Sequence, residues 1–455
     1  MAYSRHVNTV LERGKIKVAD RIAVTKAGKT FEGLLMPRPE IGDPDSLVIK
    51  LDSGYNIGIK VEKGVKVEKS RHKEPKAIKE EEEFELGKVR KSLLKLKFDR
   101  KKPAISMVAT GGTIASRVDY RTGGVRSAMK PEEILHNVPE VADIVNISKM
   151  HSPFTILSED MVPQNWIDLA KIVHRELNTD VKGVMITHGT DTMHYTSAAL
   201  SFFLKDLAKP VVLTGSQRSS DRGSSDAGFN ILCSSRAAIS DMAEVGICMH
   251  GSMEDTYCLF IRGTKARKMD TQRRDAFRPI NDFPLARVWA DGKVETLKKD
   301  FRRRKPGKTG LDAKFEEKIA MVKAYPGADP HIIDYHIKRG IKGIVVEATG
   351  LGHVPTFFGR PWIKAVKSAV SSGVPIVAAP QTLYGRINPN VYAPLRVLYH
   401  DAGAICGQDM LPEVAYVKLG YVLGKTKKME EVKKLMLTNM AGEITERTLP
   451  ETFLY

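Results

Sequence analysis

The sequence predicts an α/β protein of several domains, in which a small N-terminal β-barrel precedes two lobes built on parallel sheets. At 455 residues, the chain is long enough for roughly three domains of about 150 residues each. Its first part is a series of short apolar runs of strand length, whereas from residue 104 such runs alternate with segments of helical period. Alternation of this kind is typical of parallel sheets covered by helices. A stretch in which the sign of the charge changes abruptly separates the two parts.

Residues 1–70 are interpreted as the barrel. Turn-forming residues such as Gly28, Pro37, Gly42 and Gly54 divide this region into strand-length pieces. Five short strands at this spacing favour a small barrel. The predicted strands are Ile22–Val24, Thr30–Met36, Ser46–Leu51, Tyr55–Val61 and Val65–Val67.

Residues 71–103 are expected to connect the barrel to the rest of the chain. The acidic run 80–83 is followed by a basic series that reaches Lys102, and charge runs of this kind usually form a solvated surface. A second interruption, around Arg302, Pro306 and Gly307, separates two α/β units. The predicted division is therefore 104–300 for the first α/β domain, 301–325 for a linker, 326–440 for the second α/β domain and 441–455 for a C-terminal tail.

The α/β part is predicted from brief apolar runs, each followed by a polar turn and a helical segment. A helix is expected over Tyr195–Leu204, and the chain becomes helical after Val414, with apolar spacing of i, i+3 and i+4 over Met429–Met436. The predicted strands are Ile105–Ala109, Gly183–Ile186, Val211–Leu213, Gly246–Met249, Gly343–Val346 and Ile376–Ala378.

Composition excludes several classes of protein. Hydrophobic residues make up 42% and charged residues 28% of the chain, which is ordinary for a globular protein and unlike a disordered or fibrous one. No apolar run approaches the roughly 18 to 20 residues that cross a bilayer, so no membrane association is expected. The N-terminus has no apolar segment of the kind found in signal peptides. The chain is therefore expected to act in the cytoplasm.

The cysteines and the net charge say less about the class of protein. The four cysteines show no CxxC spacing, so neither a disulfide framework nor a zinc site is indicated and reduced core thiols are expected. The formal net charge of +18 would attract nucleic acid or acidic proteins. A surface rich in lysine and glutamate, as in thermophilic proteins, accounts for it about as well.

Polar residues follow three of the predicted strands directly. They are the segments Thr110–Thr113, Thr187–Thr192 and Thr214–Ser216. Capping of the next helix by Thr190 or Asp191 would need only one of these side chains. Because ligands of parallel sheets bind beyond the carboxyl ends of the strands, this concentration of hydroxyls with a histidine and a carboxylate favours an active-site crevice.

The sequence motifs of several other enzyme classes are absent or lack the required spacing. The three GK[ST] triplets, at Gly28, Gly307 and Gly424, lack the upstream glycine of a P-loop, and no HExxH, GxSxG or GxGxxG motif is present. An ATP site of the P-loop type, a zinc protease, an ordinary α/β-hydrolase and a dinucleotide-binding dehydrogenase are thus not supported. What remains is threonine chemistry, which needs a neighbouring lysine or carboxylate to activate the hydroxyl.

The segments Thr110–Ala115 and His188–Thr192 are similar to the two signature motifs of the bacterial-type L-asparaginase family, and both follow predicted strands in the right order. Residues 266–277 resemble the family segment that carries a catalytic lysine. The resemblance covers about 104–440 and implies a two-lobed asparaginase-like fold. Family asparaginases generally lack an N-terminal barrel. The combination found here resembles the D subunits of archaeal glutamyl-tRNA(Gln) amidotransferases.

The resemblance implies the roles of particular residues. Thr113 matches the primary nucleophile, whereas Thr190, Asp191 and Lys268 match the group in which lysine and aspartate support a second threonine. The implied substrate-binding residues are Ser158 and Glu159 at the amino-acid head group, Gly112 and Gly189 with backbone donors for an oxyanion, and Tyr120. Tyr120 is named because the usual lid tyrosine is missing after Gly124, which departs from the family pattern.

The resemblance further implies hydrolysis of the side-chain amide of L-glutamine, with asparagine as a second substrate. The ammonia would pass to a partner, the E subunit of the amidotransferase, which uses ATP and Mg to convert Glu-tRNA(Gln) to Gln-tRNA(Gln). A homodimer within a heterotetramer is expected, with no cofactor or metal in this chain. The alternative is a free-standing L-asparaginase with an extra domain. A non-catalytic RNA-binding protein ranks last, because Thr113, Thr190, Asp191 and Lys268 are all present.

Overall fold

The structure is a computed structural model of the 455-residue chain. It describes residues 3–37, 43–52, 55–70, 98–118, 125–127, 131–220 and 222–455. Most of the predicted connector, 71–97, and the predicted lid with Tyr120 lie outside these ranges. Within them, no helix is both long enough and apolar enough to cross a membrane.

The N-terminal domain is an antiparallel sheet with one helix, Arg5–Arg13, that the sequence did not predict. The sheet has the order β4-β3-β2-β1-β5. Its core includes Val7 and Leu11 of the helix together with Ile22, Val24 and other alternating strand residues. In the described residues β4 and β5 are the edges of an open sheet, so its closure into a barrel remains a prediction. The five strands are β1 (Arg21–Lys26), β2 (Lys29–Leu35), β3 (Ser46–Leu51), β4 (Asn56–Lys60) and β5 (Lys66–Lys69).

The central sheet has eight strands and is mixed rather than parallel throughout. The strands β9, β6, β10, β12 and β13 are parallel neighbours in that order, and β14, β17 and β18 continue the sheet antiparallel. The prediction of a parallel sheet holds only for the half in which helices alternate with strands. These eight strands are β6 (Ala104–Ala109), β9 (Asn146–His151), β10 (Gly183–Thr187), β12 (Val211–Thr214), β13 (Val245–His250), β14 (Tyr257–Arg262), β17 (Ala286–Trp289) and β18 (Val294–Thr296).

Three two-stranded ribbons lie outside these sheets. The ribbon of β15 and β16 carries Lys268 at the end of its first strand, and β19 pairs with β11 just before the second lobe begins. The ribbon strands are β7 (Ser116–Val118), β8 (Val125–Ser127), β11 (Leu204–Lys205), β15 (Ala266–Lys268), β16 (Phe277–Pro279) and β19 (Gly310–Leu311).

The C-terminal lobe is built on four parallel strands in the order β20-β21-β22-β23. Its first strand, β20, begins at Ile319, within the segment expected to link the lobes. The strands are β20 (Ile319–Lys323), β21 (Gly343–Ala348), β22 (Ile376–Pro380) and β23 (Ile405–Cys406).

The helices of the two lobes share one core. Phe202 of the first lobe stacks on Tyr421 of the second at 6.0 Å between ring centroids, and both are fully buried. Burial of such large apolar surfaces, at about 25 cal/mol per Å², fixes the helix Met193–Phe203 against the helix Pro412–Lys425. The α-helices of both lobes are Pro131–His136, Val141–Ile144, Pro163–Leu177, Met193–Phe203, Ala227–Ile239, His331–Lys338, Ile363–Ser371, Ala393–Arg396, Pro412–Lys425 and Met429–Leu437. Short 3₁₀ turns cover Thr113–Ala115, Ser158–Asp160 and Pro450–Thr452, and a π turn covers Val397–Asp401.

Candidate active site

The predicted polar segments come together because their strands are parallel neighbours. The strands β9, β6, β10 and β12 end at the same edge of the central sheet, so the loops that follow them form one crevice. Thr110 N–H donates to Thr187 O at 3.0 Å, and His188 N–H donates to Thr214 O at 2.9 Å. These bonds tie the three hydroxyl-rich segments together immediately beyond the strand ends.

Close backbone contacts set the spacing of the loops. A β-carbon on Gly112 would lie 2.3 Å from Gly189 Cα, and one on Gly189 would lie 2.7 Å from Ser158 Cβ. Gly112 also has φ +79°, which side chains rarely adopt. Only glycine lets the loops approach this closely. The sequence motif with two glycines is thus explained by loop packing, and Thr113 and Thr190 each follow one of the glycines in contact.

Thr113 begins the 3₁₀ turn Thr113–Ala115 and is half-buried. Two hydroxyls hold this turn, since Ser116 Oγ donates to Gly112 O at 2.7 Å and Ser220 Oγ donates to Ile114 O at 2.7 Å. Ser220 lies in the loop that follows β12. The first threonine is therefore fixed both by its own turn and by a neighbouring loop.

The second threonine has the partners that its chemistry requires. Lys268 Nζ donates to Thr190 Oγ1 at 2.9 Å and to Asp191 Oδ1 at 2.6 Å. Thr190 is 5% exposed and the Lys268 side chain 11%, whereas the Asp191 side chain is 63% exposed at the mouth of the site. The structure thus brings together three predicted residues that lie up to 78 positions apart in sequence.

Neither of the residues considered for capping caps the following helix. The N-cap position of the helix Met193–Phe203 is Thr192, neither Thr190 nor Asp191. Its hydroxyl donates to Ser158 O at 2.6 Å instead of capping the helix. The side chains of Thr190 and Asp191 are consequently available to Lys268, as the functional interpretation requires.

The predicted head-group loop lies against this site. Ser158 is buried beside Gly189, and both it and Glu159 belong to the 3₁₀ turn Ser158–Asp160. Glu159 is exposed. Tyr120 lies outside the described residues, so its part in the site stays a prediction.

The backbone N–H of Gly112 is not free to bind an oxyanion in this structure. It donates to Ile156 O at 3.1 Å. The N–H of Thr113, at the first position of a 3₁₀ turn, has no acceptor within that turn. Thr113 N–H is accordingly the better candidate for the role that the sequence assigned to Gly112.

A further polar group, Gln217, was missed at the level of sequence. Thr190 Oγ1 lies 3.5 Å from Gln217 Oε1, a long contact. Neither Gln217 Nε2 nor the buried Ser216 Oγ has a hydrogen-bond partner in the described residues. The buried Asp226 carboxylate holds the loop, since it accepts from Gln217 N–H at 3.0 Å. The loop therefore presents unpaired polar atoms next to Thr190, which a substrate amide could satisfy.

A second missed group comes from the other lobe. Glu413, 1% exposed at the start of the helix Pro412–Lys425, pairs with Arg267 at 2.6 Å, and the next residue is Lys268. The same carboxylate oxygen lies 3.7 Å from Nε2 of His194, three residues beyond Asp191. Burial, followed by the cations of Arg267 and Lys268, lowers the pKa of His194 to about 3. Nothing local in sequence signals this link, because Glu413 lies far along the chain.

His188, the histidine of the second motif, holds the loop through its hydrogen bonds. Burial lowers the pKa of His188 to about 4, against a smaller opposing effect of its bond to Gly189. Its Nδ1–H donates to Gly189 O at 2.6 Å, which leaves Nε2 to accept from Thr196 Oγ1 at 2.8 Å. Neutral His188 therefore fixes the loop around Gly189.

The thiols and carboxylates of the described residues offer no metal centre. No group of three or more histidine, cysteine, aspartate or glutamate side chains is placed to hold an ion there. Cys233, Cys248 and Cys258 are buried and Cys406 half-buried, and all four are free thiols. The side chains gathered at this site are hydroxyls, a lysine and a carboxylate.

Comparison with known proteins shows the family to which the fold belongs. Three protein-family models match the chain: "Asparaginase, N-terminal" over residues 104–302, "Glutaminase/Asparaginase C-terminal domain" over 318–436, and "GatD N-terminal domain" over 16–69. Among solved structures, the L-asparaginase of Thermococcus kodakarensis is similar with a TM-score of 0.67 and 29% identity, and the match covers 75% of this chain and 99% of that one. L-asparaginase I of Vibrio cholerae has a TM-score of 0.65 and 28% identity, with coverage of 76% and 99%.

Fold and site together define a protein of the asparaginase class with an added N-terminal domain. The D subunit of the glutamyl-tRNA(Gln) amidotransferase of Pyrococcus furiosus is 50% identical over 98% of this chain and 99% of its own length. The corresponding D subunit of Methanopyrus kandleri is 44% identical over 97% and 94%. The chain belongs to the family of glutamyl-tRNA(Gln) amidotransferase D subunits.

Proposed function

We propose that this chain is the glutaminase component of a tRNA-dependent amidotransferase. It hydrolyses the side-chain amide of L-glutamine through a threonine nucleophile and delivers ammonia to a partner, the E subunit. The partner converts Glu-tRNA(Gln) to Gln-tRNA(Gln) with ATP and Mg. The full-length similarity to D subunits carries this proposal, because it covers 98% of the chain and a GatD N-terminal domain matches residues 16–69, whereas the similar L-asparaginase of Thermococcus kodakarensis covers 75% of the chain. The complex is expected to act in the cytoplasm as a heterotetramer with a homodimer of this chain.

The geometry supports amide hydrolysis by two threonine centres. A threonine Oγ attacks the amide carbonyl carbon, and the C–O bond forms as the carbonyl oxygen becomes an oxyanion. Collapse of this intermediate breaks the C–N bond, and the nitrogen leaves as ammonia after it takes up the proton that the threonine hydroxyl has lost. Water then attacks the acyl-threonine ester and releases glutamate, which restores the hydroxyl. Thr113 and Thr190 are the two candidate nucleophiles.

The partners of Thr190 fit such a reaction. The Lys268 ammonium at 2.9 Å stabilises negative charge that develops on Thr190 Oγ1 during proton transfer. Asp191 at 2.6 Å holds that ammonium in place. The low exposure of Lys268 and Thr190 strengthens the interaction, because a site with little water has a low effective dielectric constant. Ser158 and Glu159 would hold the amino-acid head group, and the exposed Glu159 carboxylate suits an ammonium.

A free-standing L-asparaginase is the second candidate function. It is favoured by the similarity of about three quarters of the chain to solved L-asparaginases. Under that proposal the chain would need no partner.

A measurement of ammonia release distinguishes the two candidate functions. The purified chain is assayed with glutamine and with asparagine, alone and then with the E subunit, ATP, Mg and Glu-tRNA(Gln). Weak glutaminase activity that rises with the full mixture is expected. Strong asparagine hydrolysis that is indifferent to every addition would refute the proposal and favour the free-standing asparaginase.

Substitution of the threonines tests the chemistry itself. Thr113→Ala and Thr190→Ala are each expected to abolish turnover. Trapping of an acyl adduct on one of the two threonines would identify the nucleophile. Thr356→Ala, on a half-buried hydroxyl of the second lobe, is the matched control. Near-normal ammonia release by either site variant would contradict the two-threonine mechanism.

A further inference from the structure

A cavity of about 590 Å³ lies where the two lobes and the chain that connects them meet. We call it the basic cleft. It is formed by the end of the helix Met193–Phe203 with β11, the connecting chain after β18, and the end of the helix Pro412–Lys425. Its lining residues are Ser201, Leu204, Lys205, Asp206, Leu207, Arg302, Arg303, Lys305, Asp312, Lys425 and Met440.

The basic cleft has a positive lining. It contains five cations and two carboxylates. Glu244 and Asp241 pair with two of these cations from outside the lining, so this set of groups carries a surplus of one positive charge at neutral pH. Three of the cations are engaged with carboxylates: Arg302 with Glu244 at 2.8 Å, Arg303 with Asp241 at 2.6 Å, and Lys425 with Asp312 at 2.7 Å. The two that are left, Lys205 and Lys305, form no ion pair with any described residue.

Lys205 is the unusual member of this set. It is half-buried, and its Nζ lies 4.6 Å from the ring centroid of Tyr421. Burial, followed by the nearby Lys425 cation, lowers the pKa of Lys205. The carboxylates of Asp312 and Glu443 oppose this shift, but each is paired with another lysine, Lys425 at 2.7 Å and Lys418 at 2.6 Å. A half-buried ammonium without a carboxylate partner of its own is unfavourable unless another anion approaches it. The empty volume next to Lys205 is large enough for such an anion.

We propose that the basic cleft binds a phosphate group through Lys205 and Lys305. Lysine and arginine donors from three chain segments converge on the cavity, and phosphate oxygens are their usual acceptors. The site is distinct from the threonine site. It lies at the C-terminal end of the helix Met193–Phe203, whose 11 residues span about 16 Å, and Thr190 precedes the other end.

Two sources can supply this chemistry: a small phosphate such as inorganic phosphate or pyrophosphate, and the phosphodiester backbone of RNA. The full-length chain is titrated with sodium phosphate and with pyrophosphate by isothermal calorimetry, against sodium chloride at equal ionic strength. In a second arm, binding of a labelled tRNA(Gln) transcript is followed by fluorescence anisotropy.

Lys205→Met and Lys305→Met are compared with Lys364→Met. The control removes the same charge from an exposed lysine of the helix Ile363–Ser371, outside the cleft. Each cleft variant is expected to weaken phosphate binding about tenfold or more, since a charge-assisted hydrogen bond is lost. The control is expected to bind as the unmodified chain does. Should Lys205→Met fail to fold, the exposed Lys305 decides the question.

Each outcome has a defined meaning. Weaker phosphate or pyrophosphate binding by the cleft variants with unchanged tRNA binding identifies a small phosphate as the ligand. Weaker tRNA binding by the cleft variants, with or without an effect on phosphate, identifies the RNA backbone. The proposal is overturned if no cleft variant differs from Lys364→Met in either arm.

Discussion

The buried pair of Glu413 with Arg267 is expected to stabilise the active site across the two lobes. Glu413→Gln removes the charge and keeps the shape, which leaves the Arg267 cation facing a neutral amide. Breaking one half of a buried ion pair costs about 3 to 5 kcal/mol. Because the Arg267 side chain is 33% exposed and Glu413 only 1%, water can partly solvate the unpaired cation. We therefore expect a loss of about 2 to 3 kcal/mol, below the range for a fully buried pair.

The same variant is expected to lower the rate of ammonia release. Arg267 directly precedes Lys268 on β15, so a shift of the strand displaces Lys268 from Thr190. A displacement of about 1 Å can reduce turnover by roughly 100-fold. The effect should fall on kcat more than on KM, because Lys268 acts on the nucleophile rather than on the substrate head group.

An exposed pair of equal length provides the control. Arg303 and Asp241 also lie 2.6 Å apart, but their side chains are 72% and 53% exposed. Asp241→Asn is therefore expected to cost no more than about 1 kcal/mol and to leave turnover unchanged. Stability is compared through urea midpoints from circular dichroism, together with the rate of ammonia release from glutamine.

The double variant Arg267→Met with Glu413→Leu removes both members of the pair. Replacing both members of a buried pair by apolar side chains of similar volume is often neutral, so part of the stability lost in Glu413→Gln should return. The reasoning is refuted if Glu413→Gln and Asp241→Asn have equal effects, or if the double variant is less stable than Glu413→Gln.

Three further predictions concern the threonine loops. Gly112→Ala would bring a β-carbon 2.3 Å from Gly189 Cα, and we expect activity to fall by about 100-fold or more; Gly28→Ala, with a similar positive φ but open space around it, should remain active, and equal activity of the two would contradict the clash. The pKa of His188 is lowered to about 4 in the folded chain, so the unfolded chain binds more protons between about pH 6.5 and 4 and stability should fall by about 3 kcal/mol as the pH drops through that window. Urea unfolding at several pH values should show a shallower slope for His188→Gln, and parallel slopes would exclude this histidine as the cause. Lys268→Met should lower kcat by about 100-fold or more with little change in the urea midpoint, and unchanged kcat would rule out its role at Thr190.

Local sequence was sufficient for the parts of the fold that depend on local patterns. Short apolar runs predicted six strands of the two lobes, β6, β10, β12, β13, β21 and β22, to within about two residues. They also placed β3 of the N-terminal domain, Ser46–Leu51, with its observed bounds, because strand length and alternation are visible in the chain itself. The parallel strands β9, β20 and β23 were not predicted. The antiparallel half of the central sheet was missed, since β14 has the same apolar composition as the parallel strands and only its pairing with β13 differs. The signal for its direction lies in the connection, because only residues 251–256 join β13 to β14, and parallel neighbours need a crossover of about a dozen residues or more.

Some residues of the candidate site could likewise be predicted from the sequence, and others could not. Thr113, Thr190 and Asp191 follow strands directly, so the position of the ligand crevice in a parallel sheet indicated them. Lys268 was found only through the resemblance to a family. Gln217 and Glu413 were not found at all, because a glutamine in a loop and a glutamate at a helix start have ordinary explanations in sequence. Gln217 reaches Thr190 only because β12 lies beside β10 in the central sheet. Glu413 reaches Arg267, next to Lys268, only after the lobes have packed.

Contacts between the two lobes offer a way to control the reaction. Thr190 and Asp191 follow β10 of the first lobe. The strand of Lys268 pairs with β16, but Arg267 on that strand and Lys265 just before it are tied to the second lobe through Glu413 and through Asp409 at 2.7 Å. A partner that moves the second lobe relative to the first would therefore move Lys268 relative to Thr190. Since an interaction of 2.9 Å is sensitive to such a shift, lobe packing offers a physical route by which binding of the E subunit could raise the glutaminase rate. Under this reasoning Glu413→Gln should reduce the stimulation by the partner as well as the basal rate, and equal stimulation of the variant and the unmodified chain would show that the partner acts elsewhere.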